Sequence, residues 1–81
     1  MKTILLSDLL EHIPDHVRIG IVHKTYKNGN EYNHTIYSGY KKGMNKYMEQ
    51  KIFSPADYEV NYVYVGNWDN NFGLIINVKR Y

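Results

Sequence analysis

Asn28-Gly29 interrupts a run of alternating apolar and polar residues, and this dipeptide constrains the fold more than any other part of the chain. A two-residue type I′ turn needs positive φ at both central positions, and Asn-Gly meets that need at least steric cost. Ahead of it, Val17, Ile19, Ile21 and His23 share one side of an extended chain, with Arg18, Gly20, Val22 and Lys24 on the other. Counting outward from the turn sets Lys27 against Asn30, His23 against His34 and Ile21 against Ile36. The register then matches apolar to apolar, and a slip of one residue sends Ile36 to the opposite face.

The period is helical on both sides of this hairpin. Ser7 reads as the N-cap of a short helix with Asp8 in its first turn and Leu9, Leu10 and Ile13 on its apolar side, stopped by Pro14. A start at Ile4, capped by Thr3, is the alternative. After Ser38-Gly39, the residues Met44, Tyr47, Met48 and Ile52 follow the spacing of a second amphipathic helix, leaving Lys46, Glu49 and Gln50 toward water. Ser54-Pro55-Ala56-Asp57 reads as a cap with proline at the first position of a single turn. Strands over 58–65 and 72–79 close the chain around the turn-rich "GNWDNNFG". The last strand places Phe72, Leu74, Ile76 and Val78 on one face. Its partner offers either Val63 and Val65 or Val60 with its tyrosines, and the loop does not choose between them. These elements predict an α+β domain in helix-hairpin-helix-hairpin order, a four-stranded antiparallel sheet with two short helices on one face.

At 81 residues, 43% of them apolar, the chain has room for one compact domain spanning 1–81. It has no cysteine, which excludes a disulfide framework, a thiolate zinc site and a cysteine nucleophile. Asp8 and Glu11 interrupt the opening apolar run well short of a membrane span, and no small-residue cleavage site follows. The expectation is a cytoplasmic protein. The net charge of +2 does not by itself imply nucleic-acid binding, but residues 18–51 hold Arg18 and six lysines against Glu31 and Glu49, whereas 52–78 hold only acidic charges.

No constellation points to catalysis. Ser7, Ser38 and Ser54 occupy capping or turn positions rather than a nucleophile elbow, and the acidic residues are scattered. His23 and His34 supply two corners of a metal site without a third, and Pro14 separates His12 from His16, so no metal or other cofactor is expected. "GYKKG", 39–43, is neither a Walker loop nor a GxxG clamp. It reads as a solvated loop with two lysines leading into a helix, the alternative being a phosphate or carboxylate site made by those lysines and the free N–H groups of the helix N-terminus. Nine tyrosines are the strongest compositional signal, since tyrosine supplies large contact area at low entropic cost and keeps a polar end. Tyr37, Tyr40, Lys41, Lys42 and Lys46 around the turn into the second helix form one candidate binding cluster. Tyr58, Tyr62 and Tyr64, with Ile75, form a second if Val63 and Val65 face the helices.

The segments "LLSDLLEHIPDHVRIGIV", "DYEVNYVYV" and "GLIINVKRY" resemble small αβ accessory proteins of bacteriophages and prophages, among which anti-defence inhibitors such as anti-CRISPR proteins share this size. The resemblance implies a non-catalytic protein-binding factor that inhibits a host or defence enzyme. The alternative is a weak nucleic-acid binder with lysines on phosphates and tyrosines on bases.

Overall fold

The computed structural model describes residues 3–49, 54–68 and 71–80. Helix α1 (Leu6–Glu11) leads to β1 (Arg18–Lys27) and β2 (Asn30–Tyr40). A 3-10 turn at Lys41–Gly43 runs into α2 (Met44–Glu49), a second 3-10 turn occupies Pro55–Asp57, and β3 (Tyr58–Trp68) and β4 (Asn71–Arg80) complete the chain. Among the described residues, no helix is long and apolar enough to cross a membrane.

The strands form one sheet in the order β2-β1-β4-β3, and it is mixed rather than antiparallel. β1 pairs antiparallel with β2 and β3 with β4, but β1 and β4 run parallel at the centre, Ile19 beside Leu74 and Ile21 beside Ile76. The direction follows from the connection between β2 and β3. β2 ends beside the start of β1, where the Lys41 and Lys42 amides bond to the carbonyls of Val17 and Asp15. β3 begins at the other end, with Tyr58 opposite Arg80. The chain therefore crosses the length of the sheet between them, β3 returns in the direction of β2, and β4 comes to lie parallel to β1. β1 and β4, which carry the fully buried Ile19, Ile21, Ile76 and Val78, take the centre.

The expected turn is present: Asn28 and Gly29 have φ of 54° and 79°. Lys27 faces Asn30 and His23 faces His34, but the register then shifts, so that Ile21 faces Tyr37 rather than Ile36. Ile36 is the extra residue of a β-bulge, and a bulge reverses the alternation beyond it. Both Ile36 and Tyr37 consequently pack against the core. A second bulge at Asn61 acts in the same way on β3, separating the pair Val60 and Val78 from the pair Tyr62 and Asn77.

Leu6, Leu10 and Ile13 from the N-terminal segment and Met44 from α2 close over Ile19, Ile21, Ile76 and Val78. Ser7 is not the cap of α1. The helix starts two residues earlier, from Leu5, whose carbonyl accepts the amides of Asp8 and Leu9 and whose backbone bridges to Glu59. A tertiary strand contact thus fixes the helix start in place of a side-chain cap. Ser54 precedes Pro55 as expected, without a capping side-chain bond. Phe72, expected on the apolar face of β4, is 73% exposed, and the buried part of the strand begins beyond it, with Ile76 and Val78 fully enclosed. Lys51 and Ile52 and the side chains of Tyr47 and Met48 lie outside the described residues.

Candidate functional site

The open face of the sheet

Strand alternation places Gly20, Val22 and Lys24 of β1 on the side away from Ile19 and Ile21. Their neighbours there are Thr35 and Ser38 of β2, Ile75 and Asn77 of β4, and Tyr62 and Tyr64 of β3. None of these belongs to the core cluster to which the helices contribute. The Asn61 bulge decides the question left open by the sequence: Tyr62 and Tyr64 pair with Asn77 and Ile75, while Val63 and Val65 pair with Ile76 and Leu74 on the helix side. The two tyrosine rings lie 5.9 Å apart, tilted by 32°. Each remains about half exposed, 47% and 51%.

Tyr58 does not join them. It precedes the bulge, packs against the core and meets His23 edge-on at 5.2 Å. The expectation of one stripe of Tyr58, Tyr62 and Tyr64 fails because the extra residue at 61 turns its first member to the other face.

Beside the tyrosines, Gly20, Val22, Thr35, Ser38 and Ile75 line a shallow groove of about 200 Å³. Gly20 forms its floor because it has no side chain to fill it. Asn77 is 4% exposed on this face and accepts a hydrogen bond from Asn61 Nδ2 at 2.9 Å. At the groove's end, Lys24 Nζ is 2.9 Å from Glu31 and 6.0 Å from the centre of the Tyr62 ring. The hydrogen bond to Glu31 raises the Lys24 pKa, against a smaller opposing effect of desolvation. The alternation of β1 by itself gives Gly20, Val22 and Lys24 no role beyond the strand's second face. Their signal was a glycine inside an otherwise regular strand, which often marks a close approach or an open space.

The cleft at the start of α2

Tyr37, Tyr40, Lys42, Gly43, Asn45, Lys46 and Glu49 line a cleft of about 580 Å³. This brings together four of the five residues in the first candidate cluster. Lys41 is the exception, turned away toward Asp15 with Nζ 3.6 Å from its carboxylate. The glycines of "GYKKG" serve Tyr37, whose hydroxyl donates to the Tyr40 carbonyl at 2.5 Å. A Cβ on Gly39 would sit 3.0 Å from that hydroxyl, and one on Gly43 would overlap it. The loop is therefore a seat for an aromatic ring.

Sheet order sets the cleft, at the end of β2, and the β3 tyrosines on opposite edges. Six of the eight candidate residues form two surfaces, while Lys41 turns to Asp15 and Tyr58 faces inward.

His23 and His34 face one another as expected, and among the described residues no three potential ligands cluster around a metal position. Burial pushes the His23 pKa below its usual value, helped by the positive charges of His34 and Arg80. The unfolded chain accordingly takes up a proton near pH 6.5 that the native state still refuses, so this histidine makes stability fall as pH drops through the window below 6.5. The loss ends once the native imidazole also protonates. We expect chemical-denaturation midpoints measured from pH 8 to pH 5 to fall less steeply in His23→Gln than in the parent. Equal slopes would show that His23 is not responsible.

The chain matches no protein-family model, no curated protein and no solved structure.

Proposed function

We propose that the protein is a non-catalytic protein-binding accessory factor that docks through the open face of its sheet, acting as a phage-type inhibitor of a host or defence enzyme. One observation carries the choice of surface: Tyr62 and Tyr64 stand side by side, half exposed, along a groove over Gly20, Val22 and Ile75. Rigid aromatic side chains bordering an apolar depression are what anchor protein interfaces. The reading as an inhibitor rests on the resemblance to small phage proteins and on chain size.

Charge pairing favours a protein partner over nucleic acid. Lys24, Lys41 and Lys79 are each held by an acidic residue, Glu31, Asp15 and Glu59, and Glu49 shares the α2 cleft with Lys42 and Lys46. A phosphate backbone needs a continuous run of unopposed cations. The second reading, a weak nucleic-acid binder, draws on the tyrosines as stacking platforms together with Lys42 and Lys46.

Titration with single- and double-stranded oligonucleotides across a salt series separates the two. We expect no binding at moderate salt. Capture of a partner from host lysate should be lost in Tyr62→Ala/Tyr64→Ala and retained in Lys42→Ala/Lys46→Ala. Tight binding that weakens steeply with salt and disappears in the lysine variant would establish the nucleic-acid reading instead.

A further inference from the structure

We propose that β3 is a self-pairing edge, and that two copies of the chain join antiparallel along it, centred on Tyr64, to make one continuous eight-stranded sheet. This goes beyond the docking function and does not depend on it.

β3 is an outer strand of the sheet. Its first residues are covered, since the Val60 amide bonds to the Ile4 carbonyl and Leu5 bridges to Glu59. After the bulge at Asn61 the strand pairs regularly with β4 from Tyr62 to Trp68, with no further register shift. Tyr62, Val63, Tyr64 and Val65 are all exposed, so this stretch is open on both faces, and among the described residues no strand pairs with its outer edge. Residues 60–68 read "VNYVYVGNW", without a charge or a proline. Sheet edges are ordinarily protected by charged side chains, proline or bulges, and an uncharged β-rich edge is a template for another strand. The opposite edge has such protection. β2 carries Glu31 and His34, is bulged at Ile36, and has Gly39 at φ 150°.

The side chains also identify the occupant as a second copy. A two-fold axis through Tyr64 sets residue 62 against 66, 63 against 65 and 64 against itself. Val63 then meets the other copy's Val65 on the helix side, two β-branched residues that pack well across strands. On the open face Tyr62 lies over the other copy's Gly66, an aromatic ring covering a glycine that has no side chain of its own. Ile75 already folds over Gly66, where an added Cβ would come within 2.5 Å of it, and so provides an apolar surface for that ring. The two Tyr64 rings pair at the dyad. Because β3 lies at the edge of the open face, dimerisation joins the two tyrosine pairs into a single stripe.

Sedimentation equilibrium of the full chain from micromolar to millimolar concentration should show a monomer-dimer equilibrium. Val65→Lys, at a side chain already 69% exposed, should shift it to monomer with unchanged far-UV circular dichroism, and with an unchanged thermal midpoint at concentrations low enough for the parent to be monomeric. Tyr64→Lys should do the same by placing like charges opposite each other at the dyad. Combining Val63→Glu with Val65→Lys should restore the dimer, because the new carboxylate of each copy then faces the new ammonium of the other. A chain that stays monomeric at millimolar concentration, or a dimer indifferent to Val65→Lys and Tyr64→Lys, overturns the proposal. Dissociation by both single variants without rescue by the double variant overturns the Tyr64-centred register.

Discussion

Ile76→Ala should cost about 2–5 kcal/mol, while the same change at the adjacent Ile75 costs much less. Ile76 is fully buried at the centre of the sheet, between Ile21 of β1 and Val63 of β3, within the cluster of Leu6, Leu10 and Met44. Its loss leaves a cavity that four elements would have to move to fill. Ile75 points the other way, onto the open face, where removal of its side chain deepens an existing groove. A domain of this size commonly has a total stability of about 5–15 kcal/mol, so the first substitution removes much of it. Urea denaturation followed by tryptophan fluorescence would show the contrast as a large drop in midpoint for Ile76→Ala alone. Equal losses would mean that the two faces of β4 are equally buried, and that the open-face assignment of Tyr62 and Tyr64 is wrong. In the folded Ile75→Ala protein, partner binding becomes a direct test of the groove.

The second large effect is expected at Gly43. A methyl group there overlaps the Tyr37 hydroxyl, so Gly43→Ala must push the ring from its seat and break its hydrogen bond to Tyr40. Overpacking of this kind costs about 1–3 kcal/mol. The hydroxyl is the atom that meets the new methyl most closely, with the ring carbon behind it 3.3 Å away. Tyr37→Phe by itself should cost about 0.5–1.5 kcal/mol through the lost hydrogen bond. In the Gly43→Ala background it should instead recover stability, because the clashing atom is gone. A double-mutant cycle with thermal or urea unfolding measures this coupling directly. Additive losses would show that Gly43 is selected for backbone reasons and not as room for Tyr37. The prediction also bears on the α2 cleft, since Tyr37 and Gly43 form part of its wall.

These two experiments bear on separate surfaces, which lie on opposite edges of the sheet. Tyr40, Lys42 and Lys46 do gather as expected, and the glycines flanking them have a structural role that neither phosphate binding nor solubility explains. Lys41 leaves the cluster for Asp15, a residue distant in sequence that faces it only because the end of β2 is tied to the entry of β1.

Local chemistry was enough to determine the first turn and much of the core. Asn28-Gly29 dictates its own backbone, the alternation of Ile19 and Ile21 and of Leu74, Ile76 and Val78 names the buried faces, and Leu10, Ile13 and Met44 follow from helical spacing. The start of α1 could not be found this way, because a strand bridge from Leu5 to Glu59 replaces the side-chain cap that the sequence offered at Ser7. Nor could the parallel pairing of β1 with β4, which depends on the route taken by the chain between β2 and β3 rather than on the composition of any strand. The bulges at Ile36 and Asn61 had the greatest consequence for function. Each adds one residue to one strand, a change that leaves the alternating pattern intact on paper and reverses its meaning in space. Tyr37 thereby reached the core side, Tyr58 was parted from Tyr62 and Tyr64, and only in the assembled sheet did those last two become a surface.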